Sequence, residues 1–257
     1  MIKLSKRLQT IADYITPSNR VADIGSDHAL LPVYLLQSGK CPSAIAGELN
    51  LGPMLAAKKQ AADAGLSDRL EVRQGDGLAV LAPDEADTVT IAGMGGSLMS
   101  DILEAGYTSG KLEGVKELVL QPNVGEDAVR IWLLNRGWLL KDETILEEDG
   151  KIYEVIHAVL SDDAEKQNEV IYDGSFLQLD LEKPTLTALL IRMGPYLLRR
   201  PHEALVKKWR SELQKLEWIC KQLSGSELPE SAVKRDQFQA EMKLIEGVLN
   251  CLQTDKR

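Results

Sequence analysis

Apolar positions along the first 160 residues alternate between two periods. Leu4, Leu8, Ile11 and Ile15 step at helical spacing with charged residues between them, and Thr16, Pro17, Ser18 and Asn19 form a turn cluster that ends this helix. A short β-branched run follows at about 20–25 and stops at Gly25, and an apolar stretch of helical length runs from about 29 to 38 before Gly39 and Pro42. Further strands are predicted at 43–49, 70–76, 88–92 and 117–120, each followed by a helical pattern or a glycine-rich turn. Pro53 suits the first turn of an alanine- and lysine-rich helix that ends at Gly65. Helices at about 97–104 and 126–135 complete the alternation. Two last strands, 138–146 and 152–160, flank the acidic turn 147–150. Five strand–helix units and a terminal hairpin predict an α/β fold, a mostly parallel seven-stranded sheet with an antiparallel edge.

Beyond residue 160 only the helical period remains. Leu205, Trp209, Leu213, Leu216, Ile219 or Cys220, and Leu223 form one stripe; Phe238, Met242, Ile245, Leu249 and Leu252 form another. The turn 224–229 between them predicts an antiparallel helical hairpin, a short coiled coil whose stripes pack within one chain. Residues 161–184 read as a partly ordered linker. The predicted domains are 1–160, a ligand-binding sheet, and 161–257, a helical unit.

Composition adds limits. The 257 residues are 44% hydrophobic and 27% charged, ordinary for a globular protein, and no apolar run reaches the length of a membrane span. Three distant cysteines and three histidines offer neither a disulfide framework nor metal-ligand spacing, which points to a reduced, cytoplasmic, metal-free protein. The net charge of −9 is unevenly spread: 1–160 holds 15 basic and 23 acidic residues, 161–257 holds 15 and 16. Between Arg192 and Lys221 eight basic residues face three acids, a local excess of +5. Such clustering is an electrostatic footprint for nucleic acid, or else a solvated helix face.

Candidate chemistry collects at the predicted strand ends, where open α/β sheets bind ligands. Gly25, Ser26, Asp27 and His28 follow strand one, with Asp23 inside it. A dinucleotide site needs G-x-G-x-x-G, but Asp27 and Leu30 occupy the second and third glycine positions. A pyrophosphate cradle, and with it a nicotinamide dehydrogenase, is therefore disfavoured. Carboxylates here suit a cofactor bearing an ammonium, although Asp27 could equally cap a helix. Glu48, with Asn50 beyond it, is placed to accept from a ribose diol, and Asp76 beside Gly77 to accept from an adenine amino group. The loops Ala92, Gly93, Met94 and Gln121, Pro122, Asn123 allow close backbone approach and supply amides that can face a base's pairing edge. No nucleophilic cysteine or Ser–His–Asp order is present, so covalent catalysis is not indicated.

Several segments carry a resemblance. Lys3 to Leu8, Val21 to Ala29 with Leu31 and Pro32, Gly75 to Leu78, Ile91 to Gly96, Leu120 to Asn123 and Met193 to Leu197 resemble the bacterial tRNA (adenine-N1)-methyltransferases acting at adenosine 22, the TrmK type. Short singly, they are specific in this order and span both domains. The resemblance implies a Rossmann-like class I methyltransferase domain, S-adenosylmethionine as cofactor and tRNA as partner. On it, Asp23, Gly25, Ser26, Asp27, His28, Glu48, Asn50, Asp76, Gly77, Ala92, Gly93 and Met94 would hold the cofactor. Asp27, Asn123 and His28 would serve catalysis, and Arg7, Gln121, Pro122 and Asn123 the substrate. The basic stretch (Arg192, Arg199, Arg200, Lys207, Lys208, Arg210) would grip the tRNA. The chain lacks the N-P-P-[YF] motif of exocyclic adenine methyltransferases after strand four. Methyl transfer to DNA or a small molecule, or a non-enzymatic cofactor-binding adaptor, are the competing readings.

Overall fold

The computed structural model describes residues 2–225 and 228–254, which divide into two compact units, Met1–Val170 and Ile171–Arg257. The first unit is built on seven strands: β1 (Val21–Ile24), β2 (Ala44–Glu48), β3 (Leu70–Gln74), β4 (Thr88–Gly95), β5 (Glu117–Val124), β6 (Trp138–Glu148) and β7 (Lys151–Leu160). Their order is β3-β2-β1-β4-β5-β7-β6. The first five are parallel; β7 runs antiparallel to both β5 and β6. Every residue of β1 and β2 is buried, as expected of central strands covered on both faces. The strand order reverses between β1 and β4, so the crevice falls at their carboxyl ends.

Six helices belong to this unit or its border: α1 (Lys6–Tyr14), α2 (Leu30–Gln37), α3 (Leu51–Asp63), α4 (Gly96–Thr108), α5 (Glu126–Asn135) and α6 (Ala164–Ile171). Helix α1 is fastened at both ends. Ser5 Oγ accepts from Leu8 N (3.2 Å), and the Glu148 carboxylate accepts from Lys6 N (2.6 Å) and Arg7 N (3.1 Å), meeting the open N–H groups of the first turn. After its last turn, Thr16 donates through N (3.0 Å) and Oγ1 (2.7 Å) to the buried Glu117 carboxylate at the start of β5. Thr88 Oγ1 (2.6 Å), His157 Nε2 (3.0 Å) and, at 3.5 Å, Asn19 Nδ2 join that cluster. Burial alone would raise the Glu117 carboxyl, but these hydrogen bonds hold it down at about 2.

Residues 161–184 correct the sequence expectation of a linker. Helix α6 occupies part of this span, with Ala164 and Asn168 buried. Asn168 Nδ2 donates to Trp138 O (2.8 Å) and its Oδ1 accepts from Leu140 N (3.1 Å). Beneath α5, Arg130 donates to Glu143 (2.6 Å) and Glu154 (2.6 Å) from β6 and β7, all three side chains fully buried.

The second unit contains α7 (Lys183–Met193), α8 (Pro195–Arg199), α9 (Glu203–Ser224) and α10 (Pro229–Thr254). Helices α9 and α10 fold back on each other, burying Leu205, Trp209, Leu216 and Cys220 with Ile245, Val248, Leu249 and Leu252. The helical hairpin expected from the two stripes is thus present. No helix among the described residues is long and apolar enough to cross a membrane.

Candidate active site at the carboxyl ends of β1, β4 and β5

Strand β1 ends in a tight turn. Gly25 takes φ 71° and its N–H donates to Gly47 O (2.8 Å), tying the turn to β2. Asp27, His28 and Ala29 follow with φ of 42°, 65° and 58°. Three consecutive non-glycine residues in the left-handed region store strain, roughly 1–3 kcal/mol each, that marks functional turns. Asp27 does not cap α2: the N-cap is Ala29, with no side-chain cap bond. Instead Asp27 and His28 project outward, 85% and 57% exposed, with Asp27 Oδ1 and His28 Nε2 3.6 Å apart.

Beneath the turn lie two buried acids. Asp23 Oδ1 accepts from Thr90 Oγ1 (2.6 Å). Burial pushes the Asp23 carboxyl up to about 7, with neighbouring Glu48 adding to the rise and the Thr90 hydroxyl opposing it. Glu48, 7% exposed, accepts from Ser26 Oγ at 2.9 Å through Oε1. Asn50 and Asp76 are exposed N-cap residues whose side chains make no cap bond. Gly77, at φ 49°, packs on Ile102, where a Cβ would come within 2.9 Å of Cγ2.

The β4 and β5 ends close the crevice. A register shift around Ala92, Met94 and Gly95 re-aims Met94, whose Cε lies where a Cβ on Gly25 would be. The turn after β1 and the end of β4 are therefore in contact; β4 runs on to Gly95, so the segment expected as a loop after residue 92 is strand. Gly93, at φ 78°, accepts through its carbonyl from Asn123 Nδ2 (2.8 Å). Gln121 is buried; its Nε2 donates to Pro122 O (2.8 Å) and Asn123 Oδ1 (3.2 Å), and its Oε1 accepts from Arg7 Nη1 (2.6 Å). Pro122 is buried too, while Asn123 is exposed. Arg7 also lies over the Tyr153 ring, 5.5 Å from its centroid.

The geometry suits S-adenosylmethionine. Glu48 Oε2 carries no hydrogen bond among the described residues, leaving an acceptor for a diol, and Asp23 with Asp27 matches a cationic ligand end. No group of three His, Cys, Asp or Glu side chains able to hold a metal ion occurs among the described residues.

A family model described as TrmK, tRNA (adenine(22)-N(1))-methyltransferase, matches residues 21–247. The chain belongs to the TrmK family. It is 42% identical to the tRNA (adenine(22)-N(1))-methyltransferase of Bacillus subtilis, over 97% of this chain and 98% of that protein. The crystal structure of the B. subtilis M1A22 tRNA methyltransferase TrmK superposes with a TM-score of 0.85, covering 97% and 100% of the two chains. A Streptococcus pneumoniae protein solved in complex with S-adenosyl-L-methionine is 35% identical, with a TM-score of 0.78 over 96% of this chain and 100% of that one.

The expected site residues of the TrmK-like sheet fall at one end of it, Asp23, Gly25, Ser26, Asp27, His28, Glu48, Asn50, Asp76, Gly77, Ala92, Gly93, Met94, Gln121, Pro122 and Asn123 alike. Within this group the structure separates roles. Gln121 is committed to its neighbours and turns no free polar atom outward, so Asn123 is the amide that faces solvent. Thr90, Glu148 and Tyr153 escaped sequence reasoning. Alternation in β7 puts Tyr153 on the face of Val155 and His157, but its partner Arg7 lies 146 positions away.

The basic residues of the second unit also divide. Arg192 pairs with Glu241 and lies over Trp209 (5.5 Å); Lys208 covers the same ring (5.8 Å). Arg199 lies 4.3 Å over Phe176 and donates to Pro195 O and Asp173 O, both at 3.0 Å. Arg200 lies over Tyr196 (5.3 Å). Lys207 and Arg210 stand exposed on α9.

Proposed function

We propose that this chain transfers a methyl group from S-adenosylmethionine to N1 of an adenine in tRNA, the adenosine at position 22. The carrying observation is a pair of contacts, Met94 against Gly25 and Asn123 Nδ2 on Gly93 O, which join the cofactor turn to the amide-bearing end of β5 through β4. Membership of the TrmK family supports the same reading. The cofactor supplies an activated methyl group on a cationic sulfur.

Adenine N1 takes the methyl through its in-plane lone pair and carries no proton that must leave, so the residues need not provide a general base. Their task is to place the ring and accommodate positive charge as it moves onto the base. Asp27, exposed at the mouth beside His28, is the carboxylate for that charge; Asn123 orients the base. Glu48 holds the ribose and Asp76 the cofactor's adenine. Because N1 lies on the pairing edge, the target must leave its stack, at a few kcal/mol. The second unit grips the tRNA and offsets this cost. The protein would work in the cytoplasm, where its tRNA substrate is found.

Nucleoside mass spectrometry after incubating unmodified tRNA with the protein and S-adenosylmethionine should show 1-methyladenosine. Asp27→Ala and Asn123→Ala should each lower turnover about 100-fold or more, the order seen when a stabilising group at a transition state is removed. Full turnover in both variants, with unaltered cofactor binding, would sink the role assignment.

A further inference from the structure

The amides at the end of β5 are locked from both ends. Arg7 can only donate, whereas the carbonyls of Pro122 and Gly93 can only accept. The Gln121 atom that faces Arg7 Nη1 at 2.6 Å must therefore be Oε1. Its Nε2 then spends both hydrogens, one on Pro122 O and one on Asn123 Oδ1. Asn123 must in turn direct Nδ2 to Gly93 O at 2.8 Å. Turning over Gln121 would set an NH₂ against a guanidinium. Turning over Asn123 would set Oδ1 against a carbonyl oxygen. Neither flip is open.

Arg7 is itself held in place. Its backbone N–H donates to Glu148 at 3.1 Å, and its guanidinium lies over the Tyr153 ring. Buried Gln121 has no capacity left for a base. Exposed Asn123 keeps one Nδ2–H and a lone pair on Oδ1.

A donor beside an acceptor on one amide fits adenine in two ways: the 6-amino group with N1, or the 6-amino group with N7. The first would occupy the lone pair that forms the new N–C bond. We propose that Asn123 reads the target adenine along its 6-amino/N7 side, with an amide polarity set by the Gly93 carbonyl and backed by Arg7 through Gln121, so that N1 is left free for methylation. This rests on the functional reading above. In this arrangement Asn123 Oδ1 accepts from the 6-amino group and Nδ2 donates to N7. Guanine is refused because its O6 would confront Oδ1, acceptor against acceptor. Arg7 is a positioning residue: it acts on the base only through two amides.

The test uses the full chain and tRNA assembled with either adenosine or 7-deazaadenosine at the target position, which removes the N7 acceptor and leaves N1 and the 6-amino group. For the unaltered protein, kcat/KM should fall about tenfold with 7-deazaadenosine, the loss of one buried hydrogen bond. Asn123→Ala should react slowly with both RNAs and no longer distinguish them. Gln121→Glu, which turns a carboxylate oxygen on Asn123 Oδ1, opposes that polarity and should narrow the ratio to about twofold; Arg7→Met, which leaves the Gly93 and Pro122 carbonyls in place, should narrow it less, and Arg7→Lys, which restores a donor, less still. Each ratio is taken within one variant, so a reduced folded fraction cancels. Equal rates on both RNAs for the unaltered protein, or a tenfold ratio surviving in Asn123→Ala or Gln121→Glu, overturns the proposal. Absence of methyl transfer to the adenosine tRNA overturns the functional reading itself, and this inference with it.

Discussion

On the proposed cofactor site, the buried Asp23 carboxyl would couple acidity to ligand binding. Its carboxyl is pushed up to about 7, well above the ordinary aspartate range, because burial penalises the charged form. The raised value means that the ligand-free fold favours the protonated acid. Asp23's contribution to stability is fully present below about pH 4 and is lost as pH rises through about 7. A ligand with an ammonium and a sulfonium favours the ionised form, so the sign reverses for binding. Cofactor affinity should rise about tenfold from pH 6 to pH 8, with proton release detectable by calorimetry in buffers of different ionisation enthalpy. Asp23→Asn should bind more weakly and lose most of that pH dependence. Arg130 is the other residue whose environment sets its effect. Removing it in Arg130→Met strands two buried carboxylates and should cost about 3–5 kcal/mol in denaturant unfolding.

Among the elements, α1 contributes Arg7 to the crevice, and its placement depends on acids at its two ends. The Glu117 carboxyl is depressed to about 2 by hydrogen bonds that outweigh burial, so its stabilisation is present above about pH 4.5 and disappears as pH falls through 2. The shift is worth about 3 kcal/mol. Glu117→Gln should flatten acid unfolding in that window and loosen α1, read as faster amide exchange at Thr16. Helix α9 carries a different surface. Lys207, Arg210, Gln214, Trp218 and Lys221 recur at steps of three and four and are all exposed, with Trp218 at 63%. On the proposed function, this exposed indole among cations would give unpaired bases a surface to stack on. Lys207→Glu with Arg210→Glu should weaken tRNA binding and lower its log–log salt slope by about 1.5, and Trp218→Ala should weaken it about tenfold. Arg199→Glu should instead lower the melting temperature, because Arg199 covers Phe176.

At the scale of the whole molecule, what the chain's pattern discloses is local. The strand–turn–helix units, the glycine at position 25 and the two heptad-like stripes could be read because each signal lies within a few residues of its consequence. The family segments placed Asp27 and Asn123, and the end of the second strand placed Glu48, at one sheet end for the same reason. Pairings across long separations were hidden. Glu148 caps a helix more than 140 positions earlier, Thr90 supports Asp23 across 67, and Asn168 reaches back 30 to β6. Helix α6 was obscured by its polar composition, since only Ala164 and Asn168 face inward. The charge excess after Arg192 was visible, but not that aromatic rings of the same unit lie under Arg192, Arg199, Arg200 and Lys208.

The Asn168 amide has a consequence for the protein in concentrated solution. β6 is one of the two edge strands, and its free rim would offer another chain a ready template for pairing. By donating to Trp138 O and accepting from Leu140 N, one side chain imitates the missing neighbour and blocks that rim where it is most hydrophobic. Asn168→Ala should leave the monomer folded yet prone to sheet-to-sheet stickiness, seen as light scattering that grows with protein concentration. A solution that stays clear to the same concentration as the unaltered protein would show that the rim is guarded by something else.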